Sequence, residues 1–428
     1  MSSEVGKNQK AWEKLFEKHN ILQQIEQRGF FEITATQINE FREARLMTKF
    51  DHRVNLPELF DKNNLSILPI SRGSYVISHF EAYKDFEELN TEIIPASFPS
   101  YIESIDYQNI TSEATAINTA FVSGILGDFI GDNEILPTVS GRMGSNVFTY
   151  NIRNIKKGID VPIKVENSQI EIDGGYEGVE CLALLEAKNS LSDDFLIRQL
   201  YYPYRLWSSN IRKPVKPIFM TYSNSVFSLY EYCFENINNY NSLILIKQKN
   251  YSFESVEITL ADILDILNRV NIVEEPQIPF PQADSFKRVI NLLELLNERE
   301  RTKDEITTNY AFDERQSNYY TDAGRYIGLI NKRRENGKVV FSASSEGKRI
   351  LNLRYRARQL RFVELILSHR AFNETLRKHL EYGVMPKKDK VVYIMENSNL
   401  YNVEAKSTFE RRKSTITGWI NWILDLQR

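Results

Sequence analysis

Residues 168–207 read SQIEIDGGYEGVECLALLEAKNSLSDDFLIRQLYYPYRLW, and their apolar runs constrain the fold more than any other stretch. Ser168–Asp173 alternates polar and apolar side chains, which predicts a strand. Gly174, Gly175 and Gly178 predict a turn after it. Val179–Lys188 predicts a second strand, carrying the continuous apolar run Cys181–Leu185 that a strand buried on both faces needs. A helix is expected over Asp193–Trp207, with Ser192 as its N-cap, Asp193 and Asp194 in its first turn, and Pro203 kinking or ending it early. Strands and a helix in this order predict an α/β chain with a sheet covered by helices.

The second strand ends in Glu186-Ala187-Lys188. Side chains alternate faces along a strand, so Glu186 and Lys188 point the same way. Asp173 comes beside Glu186 if the two strands pair. Two carboxylates and a lysine at the polar end of an apolar sheet suit a divalent metal and a phosphodiester. Mg2+ takes oxygen ligands and keeps several waters, so one or two carboxylates plus substrate phosphate suffice. Asp173 and Glu186 are the candidate Mg2+ ligands. The cation lowers the pKa of a coordinated water, and Lys188 would orient that water or stabilise the developing negative charge. Asp173, Glu186 and Lys188 are therefore the candidate catalytic set for phosphodiester hydrolysis. Spacing alone is a weak signal, because Glu346/Lys348 and Glu404/Lys406 repeat the Glu-x-Lys triplet. Only Glu186 follows an apolar run with an aspartate on an upstream strand. The bland alternative is an edge hairpin closed by a solvated salt bridge.

Asp173 followed by Glu186-Ala187-Lys188 resembles the PD-(D/E)xK nuclease motif, with Ile172 where that family often has proline. Gln199 resembles the polar position found on the helix after the motif in many such nucleases. Glu43–Asp51, Ile67–Gly73 and Glu410–Trp419 resemble stretches of type II restriction endonucleases. The resemblance implies a restriction-endonuclease-like mixed sheet flanked by helices. It implies Mg2+-dependent, sequence-specific cleavage of double-stranded DNA within a restriction–modification system. Cutting both strands needs two active sites, which a homodimer supplies. The resemblance also allows a helix ahead of the first strand to donate a third acid, for which Glu113 and Asp128 are available. Two alternatives stand beside this reading. One is a structure-specific repair or junction nuclease with the same chemistry. The other is a non-catalytic winged-helix regulator in which Glu186 and Lys188 merely pair.

The rest of the chain divides into four expected domains. Residues 1–100 read as a small α+β domain, with Trp12, Leu15, Phe16, Leu22 and Ile25 at helical spacing, and a helix Thr36–Arg45 with Phe41 and Leu46 as core candidates. Strands are expected at Ser66–Pro69 and Ser74–Ile77. Arg45, Lys49 and Arg72 could touch DNA phosphate or only solvate a surface; the surface reading is favoured, with the family resemblance as the only counterweight. Residues 101–275 carry the nuclease pattern. One helix is expected over Ala114–Ile130, capped by Thr111 or Ser112, then a flexible loop Ser140–Ser145 whose Arg142 is a candidate phosphate contact, then a strand Asn146–Ile152. Val215–Thr221, Val226–Phe234 and Leu243–Lys247 supply further strands, and Leu260–Val270, capped by Thr259, a closing helix. Three prolines within Pro276–Pro281 mark a linker.

Residues 284–355 read as a winged helix with its recognition helix at Arg315–Ile330 and a hairpin around Asn336-Gly337. Arg315, Gln316, Asn318 and Tyr319 are candidate DNA contacts on that helix, where Arg and Gln can read guanine and adenine. Lys332, Arg333 and Arg334 are candidates on the basic turn. Tyr320 and Tyr326 read as core. Residues 356–428 read as a second winged-helix-like domain, with a short strand Val391–Ile394. Its final helix, Thr408–Leu426, carries Arg411, Arg412, Lys413, Ser414 and Thr415 at the front as further DNA-contact candidates.

Charge supports the polyanion reading. The net charge of −3 hides an asymmetry: residues 301–428 hold 25 basic against 15 acidic side chains, a balance of +10, and the first 300 residues carry −13. No apolar run approaches the roughly 20 residues of a membrane span, and the N-terminus has no apolar signal core. Cys181 and Cys233, both in apolar runs, read as buried thiols of a reducing, cytoplasmic setting. The five histidines form no metal-ligand spacing, which argues against zinc chemistry.

Overall fold

The computed structural model describes residues 4–87, 89, 92–254, 257–310, 312 and 314–427. The chain is mixed α/β and divides into two compact units, Met1–Tyr222 with Phe227–Tyr251, and Ser223–Val226 with Ser252–Arg428. The two expected domains 1–100 and 101–275 thus form one unit, apart from the latter's end. The domains 284–355 and 356–428 form the other.

The first unit opens with α1 (Glu4–His19), α2 (Ile21–Arg28), β1 (Phe31–Thr34), α3 (Ala35–Asn39), α4 (Ala44–Met47), α5 (Glu58–Lys62), β2 (Ser66–Pro69) and β3 (Ser74–Ser78). The three strands form an antiparallel sheet ordered β1-β3-β2. Trp12, Leu15, Phe16 and Ile25 are buried as expected, while Leu22, Phe41 and Leu46 are exposed. The helix expected over Thr36–Arg45 is two short ones, so its inward positions are Ile38, Ala44 and Met47 instead.

Next come β4 (Tyr83–Asp85), β5 (Ile93–Pro95), α6 (Glu113–Val122), α7 (Ile125–Ile130), β6 (Leu136–Gly144), β7 (Val147–Asn154), β8 (Ile159–Glu166), β9 (Gln169–Glu177), β10 (Leu182–Lys188), β11 (Asp194–Leu196), α8 (Arg198–Asn210), β12 (Val215–Ser223), β13 (Val226–Phe234) and β14 (Leu243–Ser252). Seven strands form one mixed sheet in the order β5-β14-β13-β12-β10-β9-β6. β10 is an inner strand, antiparallel to β9 and parallel to the central β12. The parallel step is bridged by β11 and α8, as a parallel neighbour requires a crossover.

Several local expectations change for physical reasons. Gly174 and Gly175 lie inside β9, and the turn follows at Gly178. A Cβ on Gly175 would meet Val139 Cβ at 2.8 Å, so glycine there permits close packing within the sheet. The expected flexible loop Ser140–Ser145 largely belongs to β6, paired with β9. The single helix expected over Ala114–Ile130 breaks at Gly124, whose φ of +79° is left-handed, and Ser112 caps its first half. Asp193–Ile197 does not start a helix: β11 pairs with β4, and α8 begins only at Arg198. Pro203 lies inside α8 without ending it; burial of Tyr201, Tyr202 and Leu206 outweighs the one lost backbone bond. Cys181 is buried, whereas Cys233 is exposed.

The second unit contains α9 (Leu260–Arg269), α10 (Phe286–Glu298), β15 (Arg301–Thr302), α11 (Lys303–Asn309), α12 (Glu314–Tyr326), β16 (Ile330–Glu335), β17 (Lys338–Ala343), α13 (Ser345–Leu351), α14 (Tyr355–Leu367), α15 (Arg370–Tyr382), α16 (Lys388–Glu396) and α17 (Lys406–Asp425). α9 belongs here and does not close the other unit. β15, β17 and β16 form a small antiparallel sheet in that order. Asn336 and Gly337 both take positive φ, 48° and 75°, as a tight hairpin turn requires. One apolar core runs from Ile258 to Ile423 and includes Tyr320, Tyr326 and Trp419. The proline-rich stretch is part of this core: Phe280 is buried, and Trp419 Nε1 donates to Ala283 O at 2.7 Å. The strand expected at Val391–Ile394 is helical, and the described residues 356–427 contain no strand. That region is a helical layer and not a second winged helix.

Candidate functional site

β9 and β10 pair as far as Gly174 with Leu185, which makes Asp173 and Glu186 the next residues on neighbouring strands. Asp173 Oδ2 accepts a hydrogen bond from the Ala187 backbone N–H at 2.9 Å. Glu186 Oε1 accepts from Lys188 Nζ at 2.5 Å and from Gln199 Nε2 at 2.6 Å. The three expected catalytic side chains therefore converge, and Gln199 on α8 joins them. Each of these bonds falls on one oxygen of its carboxylate; the other oxygen, Asp173 Oδ1 or Glu186 Oε2, accepts none of them.

Glu186 is 8% exposed, and burial sets its electrostatics. Desolvation pushes its carboxyl up to about 7, against the pull of Lys188 and with the push of Asp173 and Asp51. Burial works against the Lys188 ammonium, yet the Glu186, Glu113 and Asp173 carboxylates outweigh it and hold its pKa above the ordinary lysine range. Glu113, in the first turn of α6, is also raised by burial. Lys188 lowers it, Asp173 raises it, and the Asn189 backbone and Lys49 lower it further. Of the two acids considered for a third place, Glu113 thus lies within electrostatic reach of Lys188 and Asp173. Asp128 does not: its Oδ2 accepts from Lys249 Nζ at 2.8 Å and Tyr251 Oη at 2.6 Å, and those bonds hold its pKa low.

Asp51 is a site neighbour that sequence reasoning missed, and Lys49, weighed there as a phosphate contact or a surface residue, is another. Both lie in the Glu43–Asp51 stretch, yet nothing local says that this stretch reaches β10. Among the described residues, no three His, Cys, Asp or Glu side chains form a ready-made metal cage. Asp173 and Glu186, each with one oxygen outside the hydrogen bonds named above, fit Mg2+, which fills its remaining positions with water and phosphate.

The candidate DNA contacts fare unevenly. Arg315 and Asn318 project to solvent from the leading end of α12, with Gln316 and Tyr319 half-buried beside them. Lys332 and Arg334 are exposed on β16, whereas Arg333 is held between Glu300 and Glu335. Arg411 and Ser414 are exposed, and Lys413 is tied to Glu410. Burial and neighbouring Arg411 lower the Arg412 pKa, while Tyr319 and Asp322 of α12 raise it, which puts the front of α17 beside that helix. Thr415 is fully buried: its hydroxyl accepts from Ala283 N at 3.0 Å and donates to Pro281 O at 3.1 Å, so it fastens the fold and touches no ligand. Arg142 is a strand residue 3.2 Å from Glu171, not a loop cation.

Three family models match consecutive pieces of the chain: a domain of unknown function (DUF6996) over residues 9–77, another (DUF6997) over 78–252 and a third (DUF7226) over 288–428. No curated protein and no solved structure matches. The middle model ends at Ser252, one residue past the end of the first compact unit at Tyr251. The last spans 284–355 and 356–428 almost together, in keeping with their shared core. No described helix is long and apolar enough to cross a membrane.

Proposed function

We propose that the chain is a Mg2+-dependent endonuclease acting on double-stranded DNA, of the type II restriction class, with Asp173, Glu186 and Lys188 as its catalytic residues. The observation that carries the reading is the meeting of these three side chains and Gln199 at the end of β10. A central hairpin followed by a crossover helix and a parallel strand is consistent with a PD-(D/E)xK core. Asp173 and Glu186 would hold the cation, which supplies charge neutralisation and an activated water when bound. Lys188, kept protonated by the surrounding carboxylates, is placed to stabilise negative charge developing on the phosphate. Gln199 fixes the Glu186 carboxylate so that its second oxygen stays available.

The second unit would hold the duplex. Helix α10, strand β15, helices α11 and α12, and hairpin β16–β17 follow the order of a winged helix, with α12 in the recognition position. Arg315, Asn318, Lys332, Arg334 and Arg411 offer exposed contacts there, and two copies would serve the two strands.

The test is incubation of the purified chain with plasmid DNA and Mg2+. Discrete fragments are expected. Cleavage confined to branched or damaged DNA would move the reading to a repair nuclease, and binding without any metal-dependent cleavage would reduce the chain to a DNA-binding regulator.

A further inference from the structure

The first unit also holds a cavity of about 500 Å³, lined from α2, the turn between α5 and β2, the residue after β3 and the turn between β7 and β8. That volume falls within the roughly 300–1,000 Å³ of small-molecule sites. Ser78 and Asn154, both fully buried, tie three of its walls together. Ser78 Oγ donates to Gly29 O, just past α2, at 2.6 Å, and Asn154 Nδ2 donates to Ser78 Oγ at 3.2 Å. Ile155 N donates to His79 O at 2.8 Å. The cavity is thus held in shape by buried polar bonds, and an occupant need not order it.

The lining sets the chemistry of an occupant. His79 is only 8% exposed, and its Nδ1 lies 3.2 Å from Asn64 O. A carbonyl can only accept, so Nδ1 carries the hydrogen, and in the neutral ring Nε2 keeps a lone pair. Burial holds the His79 pKa below its ordinary value, which favours that neutral ring. No described residue donates to Nε2. Leu22 and Ile155, each more than a third exposed, give the cavity apolar wall. Asn63 and Asn64 add carboxamides, a group that can bond the edge of a base. Lys156 Nζ stands 3.7 Å from Glu26 Oε1, beyond hydrogen-bond reach, and Lys62 Nζ stands 2.6 Å from Glu58 Oε1. Exposed pairs of this kind open at little cost, so either ammonium can turn to an anionic ligand. A metal ion is a poor occupant, because Glu26 is the one carboxylate among the described lining residues. An acyl chain is another, because it would strand an imidazole and two carboxamides.

We propose that this cavity binds a nucleotide, with the base against Leu22 and Ile155, a ring donor on His79 Nε2 and the phosphate on Lys156. The nucleotide is free or is a single unit turned out of DNA; both present the same base and phosphate. The cavity shares no residue with the Asp173, Glu186 and Lys188 set, so it stands or falls apart from the nuclease reading.

The test is calorimetric titration of the full chain with nucleoside 5′-monophosphates, for which a Kd below about 1 mM is expected. Inorganic phosphate and the parent nucleosides should bind about tenfold more weakly or worse. Lys156→Ala should weaken nucleotide binding roughly tenfold, as loss of a charged hydrogen bond would, and Lys156→Arg should restore most of it. Ile155→Ala should weaken it about threefold or more through lost apolar contact. Both side chains are about half exposed, so the melting temperature without ligand should not move in either alanine variant. A duplex holding one unpaired nucleotide tests the second source: its advantage over the fully paired duplex should vanish in both alanine variants. Phosphate alone binding as tightly as the nucleotides overturns the proposal, as do wild-type affinities in both alanine variants. Absence of binding by the monophosphates together with no advantage for the unpaired nucleotide also overturns it.

Discussion

In the sheet unit, Lys188 Nζ lies 2.5 Å from Glu186, and both side chains are at most 17% exposed. In the helical unit, Arg315 and Arg334 reach into solvent, and Arg333 pairs with Glu300 and Glu335 near the surface. Burying charge is costly unless the groups are paired and hydrogen-bonded. The sheet unit accepts that cost at one strand end, where Asp173, Glu186, Lys188 and Gln199 complete one another. The helical unit buries charge as well, at Arg288, Arg301 and Arg358 and in the His369–Glu275 pair, but it leaves Arg315, Lys332, Arg334 and Arg411 on the outside. On the nuclease proposal, the two regions would have two tasks. Chemistry needs preorganised charge in a dry place, whereas holding a polyanion needs exposed cations that water can release.

The comparison breaks first if the buried groups prove dispensable. Lys188→Ala and Asp173→Ala should each lower the cleavage rate by about 10³-fold or more. Duplex affinity in a gel shift should change by less than about threefold, because the cations proposed to bind the duplex lie elsewhere in the chain. Wild-type cutting by either variant removes the site. The converse experiment strikes the helical unit. Trp419 is fully buried, edge-on to Phe286 at 4.9 Å and stacked on Phe372 at 5.0 Å. Trp419→Ala should cost that unit about 3–5 kcal/mol. Calorimetry should show one unfolding transition moved down and a second, from the sheet unit, unmoved.

Much of this was legible where local pattern and tertiary role agree. β10 announced itself through Cys181–Leu185 and the acid and base that end it. The strands β2, β3, β12 and β13 followed alternation, and Thr259 and Asn336-Gly337 marked a cap and a turn. The reading failed where a local signal served a distant partner. Gly174 and Gly175 look like a turn but make room inside a sheet. Ser192-Asp193-Asp194 looks like a helix start, yet β4 recruits Asp194–Leu196 as a strand. Val391–Ile394 is a short apolar run whose period cannot separate strand from helix, and packing against α17 decides for helix. Leu22, Phe41 and Leu46 were placed by period on helices whose true ends shift the buried face. The proximity of Asp51 to Glu186 has no local signature at all, because it arises from bonds spanning more than a hundred residues.

A smaller effect sharpens the exposed side of the comparison. Arg315→Ala should weaken duplex binding roughly tenfold and flatten its salt dependence. Arg333→Ala should change affinity by about twofold or less, since Glu300 and Glu335 already occupy that guanidinium. Equal losses for the two would mean that surface ion pairs here open freely on binding.

The smallest effect is on stability, and it tests the claim that the sheet unit pays for its site. Burial raises the Glu186 carboxyl to about 7 in the folded chain, against an ordinary value of 4.5. The folded state therefore holds this proton where the unfolded chain has already released it. Stability from this group is fully present below about 4.5 and is lost as pH rises through about 7. Glutamine keeps the hydrogen-bonding shape without the charge. Glu186→Gln should match the wild type near pH 4.5 and exceed it at pH 8 by about 1–2 kcal/mol, a rise of a few degrees in melting temperature. It should be catalytically dead in the same preparation. Saturating Mg2+ should narrow the gap by stabilising only the wild type, because ligand binding to the folded state adds stability and the variant would lack a carboxylate proposed to hold the cation. A glutamine variant no more stable than wild type at pH 8 would mean that Lys188 fully compensates the buried carboxylate, leaving the pair a structural salt bridge with no free capacity for a metal.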